Sequence, residues 1–277
     1  MNVLVIVDTY PEIITLFNDM DGSFNISLWE KYANGISSEL SEKCKHDSRA
    51  YNFDTQVVPV ITHTMKNVIK LDMAHDSFVQ ATENICVRIE EVLGTGLQAD
   101  IIFYLGLCNG AGWATRLNGK PTVLLGVEKI IELDWCGYEN MAALIYHELG
   151  HIWHFGIHDI SKQYRLPIVQ LFCEGVAMYF EQLIVGDFEH YHQNKNGWLN
   201  WCKINKTALK SEFLRRVNEN ESTQDFFGDW CNYQGYSDIG YYIGCEFVKW
   251  LVKSYSFTEI AKLDYYVVCR EFHNFVL

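Results

Sequence analysis

"ENMAALIYHELGHIWHF", Glu139 to Phe155, is the stretch whose reading decides the rest of this chain. Met141, Ala142, Ile145, Leu149 and Ile152 recur at helical spacing and predict a core-facing stripe. On such a helix His147 and His151, four residues apart, lie one turn above each other and can aim imidazole nitrogens at a single ion. Glu148 projects beside that face, close enough to hold a water without ligating a metal itself. The pattern is HExxH, and its chemistry needs these residue types. Neutral imidazoles suit zinc, and a carboxylate can take the proton of a water whose pKa the metal lowers to about 7.

The motif alone is suggestive. The chain holds ten histidines, and residue frequencies put a chance HExxH at roughly 3 in 100. Two imidazoles also fall short of the three protein ligands usual for catalytic zinc. A metzincin would continue HExxHxxGxxH, but His154 stands at its glycine position and Ile157 at its last histidine position, with His158 one residue late. The other common solution is a glutamate on a following helix. "CEGVAMYFEQ" supplies Glu174 after a connection long enough to turn through "GIHDISKQYRLP" and return antiparallel. Glu174 is the expected third ligand, completing a set of His147, His151 and Glu174 for one zinc per chain. The bland alternative leaves both histidines as satisfied core or surface groups.

Composition fits this reading. With 277 residues, 49% of them hydrophobic and 14% aromatic, the chain can bury a substantial core. A formal charge of -13 disfavours a phosphate backbone or an anionic membrane surface as partner. The start, "MNVLVIVDTYPEIITLF", has no cation before its apolar run and an aspartate within it, a poor secretory signal. No stretch approaches the ~18 uncharged apolar residues expected of a membrane span. Nine scattered cysteines without a CxxC pair read as reduced thiols, which places the chain in the cytoplasm.

Only four prolines punctuate the sequence, and no linker separates independent domains. The expected organisation is a single α+β domain: an α/β lobe over 1–160 carrying the HExxH helix, and a helical lobe over 161–277 carrying the glutamate. "SLWEKYANGISSELSEKC" and "AHDSFVQATENICVRIEEVLG" predict two amphipathic helices, the second closed by Gly94. Two Asn-Gly pairs, at 109–110 and 118–119, predict hairpin turns in a three-stranded meander near 101–107, 111–117 and 121–127. After residue 160, "LPIVQLFCEGVAMYFEQLIVG", "TALKSEFLRRVNE" and "IGYYIGCEFVKWLVKSY" have helical spacing.

HELGH followed by EGVAMYFE resembles the gluzincin metallopeptidases, and in particular the aminopeptidase-like branch of the peptidase MA type. It is also similar to small bacterial predicted zinc-dependent proteases of unassigned substrate. The resemblance covers roughly residues 99 to 253 and is sharpest at "HELGH", "CEGVAMYFE" and "GYYIG". It implies a thermolysin/aminopeptidase-like fold and zinc-dependent peptide hydrolysis with Glu148 as general base. It further implies that Tyr241, in the Y-x-x-G segment, donates to the tetrahedral intermediate, with Tyr242 and Tyr236 in reserve. Two departures stand out. The position nearer the family's usual spacing from His151 is Gln170, a poor zinc ligand. The strand whose glutamate captures a substrate amino terminus is also missing, with only Glu128 able to substitute, so exopeptidase specificity does not carry over.

The expected partner is a peptide or protein substrate, bound by strand addition if a strand edge lies open near the metal. Two further readings are a metallopeptidase-like binding protein without turnover and a zinc hydrolase of a non-peptide amide. The intact Glu148 argues against the first of these. Elsewhere, Glu181 reads as a carboxylate orienting a ligand histidine or as a surface group. His154 reads as a helix-terminal histidine facing the dipole, and His190 and His192 as residues of a solvated loop. Trp113, Trp153, Trp198, Trp201 and Trp230 read mostly as core.

Overall fold

The computed structural model describes residues 3–94, 96–158 and 160–277. The chain is a mixed α+β protein, mostly helical, with one small sheet, and it divides into two compact units, Met1–Ile152 and Trp153–Leu277.

The first unit opens with strand β1, Val3–Asp8, which the sequence reading passed over. Helices α1 (Tyr10–Met20), α2 (Ile26–Ile36), α3 (Leu40–Ser48), α4 (Val58–Met65), α5 (Val68–Thr82) and α6 (Ile85–Leu93) follow. Each of the two long helices expected here is broken in two. Ser37 leaves the helical region at the end of α2, where Asn34 engages Ser41 on α3. Between α5 and α6 the chain turns at 83–84. Gly94 does close α6, with φ +64 and its N–H on the Glu90 carbonyl.

Strands β2 (Gln98–Tyr104), β3 (Gly112–Leu117) and β4 (Lys120–Gly126) complete a four-stranded sheet in the order β1-β2-β4-β3. The expected meander is therefore replaced by a mixed sheet. β2 runs parallel to both β1 and β4, and only β3 and β4 form a hairpin. Asn118 and Gly119 turn that hairpin with φ of +50 and +78, the two positive angles of a type I′ turn. Asn109-Gly110 makes no hairpin, because the Asn109 side chain is spent on the Cys44 carbonyl and on Asp47 of α3. The buried residues of β2 and β4, among them Ile101, Phe103, Val123 and Leu125, belong to the core of this unit; α7 (Val127–Glu132) packs on β4, and α8 (Tyr138–Ile157) follows it. The predicted stripe of α8 is there, but the helix is buried nearly all round from Met141 to His151. It is a central helix, not an amphipathic surface one.

In the second unit, helix α9 (Pro167–Val185) starts on Pro167 and stops at Gly186, whose φ is +81. It is long and apolar enough to pass the length test for a membrane span, yet 83% of that stretch is buried inside the protein. It is a core helix. Helix α10 (Trp198–Glu219) closes on a network of Arg215 and Arg216 with Glu212, Glu219, Glu221 and Asp225. Helices α11 (Ile239–Leu251), α12 (Phe257–Ile260) and α13 (Tyr265–Val276) complete the unit. Helices α9 and α11 meet backbone to backbone: a Cβ on Gly175 would fall 2.2 Å from the Gly244 carbonyl oxygen, and one on Gly244 2.2 Å from that of Leu171. The glycines of "CEGVAMYFE" and "GYYIG" are thus a single packing device.

Candidate metal centre

On α8, His147 and His151 face the same way, their ring centroids 4.9 Å apart and their planes nearly perpendicular. Both are buried, as is Glu148 between them. The position of Glu148 is set by strand β3. Gly126 donates to the Ala111 carbonyl at 2.9 Å, which starts the antiparallel ladder between β3 and β4. Because pairing alternates along such a ladder, Gly112, Ala114 and Arg116 direct their backbone groups away from β4. β3 is the edge of the sheet, and the Ala114 N–H finds the Glu148 Oε2 at 2.7 Å. A Cβ on Gly112 would fall 2.5 Å from the Glu148 Oε1, so the carboxylate lies directly against the strand backbone. Only glycine leaves that room.

On α9, Glu174 is buried and accepts a hydrogen bond from the Tyr164 hydroxyl. Tyr164 lies in the connection before the helix and was not singled out in the sequence; its one signal was an aromatic hydroxyl ten residues before the candidate ligand. Desolvation, followed by the Glu174 carboxylate and Tyr241, holds its phenol well above the ordinary value. Tyr241, half-buried on α11, is one turn before Gly244, and the Gly175–Gly244 crossing brings that turn toward the Glu174 turn of α9. The reserves have structural work instead. Tyr242 packs on Tyr191 and Trp198, and Tyr236 stacks on Trp201 with centroids 4.3 Å apart. Gln170, the alternative position for the third ligand, is half-buried on the first turns of α9.

Buried histidine and glutamate side chains that could hold a metal ion are present in both units: His147 and His151 in the first, and Glu174, Glu181 and His192 in the second. Two neutral imidazoles and one carboxylate are a donor set that fits zinc. Glu181 is fully buried and pairs with His192 Nδ1 at 2.7 Å and with His190 Nε2 at 3.5 Å. Gln193 donates to the other nitrogen of His192 at 2.9 Å. His192 is therefore buried with Glu181, not part of a solvated loop, and Glu181 is not a surface group. His154 is also fully buried, its ring edge-on to Phe172 at 5.4 Å, so it is a packed core residue. Trp153 stacks on Phe257, and the Trp198 indole donates to the Ser237 carbonyl at 2.7 Å, both as core.

Glu128 is fully buried, with its oxygens taken by the N–H groups of Gly106 at 2.8 Å and Cys108 at 3.0 Å. Burial raises its carboxyl to about 7, against the opposing pull of those amides. It is committed to the β2–β3 connection, not open to a substrate amine.

Comparison with protein-family models finds no match for this chain, and comparison with curated proteins and with solved structures finds none either.

Proposed function

We propose that this protein is a zinc-dependent peptidase of gluzincin type, in which His147, His151 and Glu174 hold the metal. The observation that carries the reading is the Ala114–Glu148 hydrogen bond. It fixes a carboxylate next to two buried imidazoles and against the edge strand of the sheet.

Zinc bound by these residues would supply Lewis acidity toward a carbonyl and toward water. Glu148, held by Ala114, takes a proton from the attacking water and passes it to the leaving amine. Tyr241 donates to the oxygen on which charge develops. Tyr164 orients the Glu174 carboxylate, a role in which such contacts raise ligand precision. A peptide in extended form adds to β3 through the outward-facing backbone groups of Gly112 and Arg116, the Ala114 N–H between them being held by Glu148. Nothing in such backbone recognition requires a free substrate terminus, which favours endopeptidase action.

The test is digestion of a mixed fluorescence-quenched peptide library, with and without a zinc chelator, by the wild type and by Glu148→Gln. Cleavage that chelator and substitution both abolish is the expected result. Cleavage that survives Glu148→Gln overturns the mechanism, and silence of the wild type across varied peptides would favour a binding protein.

A further inference from the structure

We infer that Glu128 is a positioning residue for Glu148, acting through the connection between β2 and β3 and then through β3 itself. The inference rests on the peptidase reading for its consequence in catalysis, but its structural half stands apart from it.

Every link lies within the first unit. Glu128 sits in the first turn of the short helix α7 and receives the N–H groups of Gly106 and Cys108. These two bonds bend the chain leaving β2: Cys108 takes φ +58, and Gly110 takes φ +143. The fit is close on both sides of the carboxylate. A Cβ on Gly106 would stand 2.6 Å from Glu128 Oε1, and one on Gly126 3.2 Å from it. A Cβ on Gly126 would also stand 2.5 Å from the Gly110 carbonyl oxygen. Glu128 therefore fills the space inside the 106–110 bend and sets where Ala111 enters the ladder. From Ala111 the register is fixed, residue by residue, to Ala114 and its bond to Glu148.

The chemistry of the carboxylate matters as well as its shape. A carboxylate accepts from both amides, whereas a carboxamide must turn its NH2 toward one of two N–H donors and loses that bond. Glu128→Gln thus relaxes one arm of the bend and preserves the volume. The bend is also tied to α2 by Trp29, whose indole donates to the Leu105 carbonyl at 2.9 Å, and to α3 by Asn109. The variant therefore keeps its fold.

The experiment, run at pH 8 so that Glu128 is ionised, reads the Ala114 amide by NMR in wild type, Glu128→Gln and Glu148→Gln, together with steady-state cleavage of the peptide library. An amide held at 2.7 Å by a carboxylate resonates downfield and exchanges slowly. We expect Glu128→Gln to shift it upfield and speed its exchange, while Glu148→Gln does so without moving the Gly106 and Cys108 amides. We expect kcat in Glu128→Gln to fall about 10- to 100-fold, the size of effect a small misplacement produces, with a smaller rise in KM because β3 also receives the peptide. Gly106→Ala, which pushes on the same carboxylate, provides a second variant with the same expected signature. An unmoved Ala114 amide in both variants overturns the inference, whatever the activity. Loss of the amide signature in a protein that cleaves nothing upholds the coupling and rejects the peptidase reading.

Discussion

Ala114 on the edge strand donates its backbone N–H to the carboxylate of Glu148 on the central helix, at 2.7 Å. That bond joins the two halves of the HExxH reading, because it turns a glutamate adjacent to a histidine into one with a fixed direction. Gly112, two residues earlier, leaves room for it.

Gly112→Ala is expected to displace Glu148, since the added methyl carbon would stand 2.5 Å from its Oε1. If the peptidase reading holds, turnover should fall roughly 100-fold, the cost of a misplaced general base, with metal content intact. Steady-state kinetics beside metal analysis checks both parts. A variant with wild-type kcat would show that Glu148 does not need this position.

Tyr164→Phe removes the hydrogen bond to Glu174. Loss of a contact that orients a metal ligand costs about 10- to 100-fold in metal affinity, so competition with a zinc-binding dye should report a weaker site. Unchanged affinity would leave Tyr164 with no part in holding the ligand.

Folding raises the Glu128 carboxyl from 4.5 to about 7, chiefly by burial. The raised value favours the protonated native state, so its contribution to stability is complete below pH 4.5 and is lost as pH rises through 7. Lowering pH from 7.5 to 5.5 should therefore stabilise the wild type by about 2 kcal/mol more than Glu128→Gln. Urea unfolding of the two proteins at both pH values measures the difference. Parallel pH dependences would contradict the assignment.

Burial holds the Cys44, Cys202 and Cys245 thiols at about 12 and Cys136 at about 11. Thiolate is the reactive form, so these four should resist alkylation in the native protein at pH 8. The half-buried Cys86 and Cys231 should react first, ahead of Cys269, whose thiol burial also raises. Peptide mapping after brief iodoacetamide treatment distinguishes the two sets. Rapid labelling of Cys44 would mean that the first unit opens readily.

The legible parts of this protein were the local ones. The α8 motif depends on a four-residue spacing, and the Asn118-Gly119 turn on two residues that tolerate positive φ, so both could be read directly. β1 could not, because its partner is β2, nearly a hundred residues later, and a short apolar run looks alike in strand and helix. Parallel pairing of β2 with β4 is non-local in the same way, and it converted the expected meander into a mixed sheet. Asn109-Gly110 misled because its side chain had a tertiary partner. His192 was misread for the same reason: its partner Glu181 lies on another element. The glycines of "EG" and "YxxG" were visible as motif letters, but their reason, the close crossing of α9 and α11, appears only in three dimensions.

The central claim is that His147, His151 and Glu174 together hold one zinc, and the most direct measurement is metal content by mass spectrometry. Wild-type protein, Glu174→Ala and His151→Ala should be purified after expression in zinc-supplemented medium. The account predicts about one zinc per chain in the wild type and loss of most of it in both variants. Equal occupancy in wild type and Glu174→Ala would contradict it.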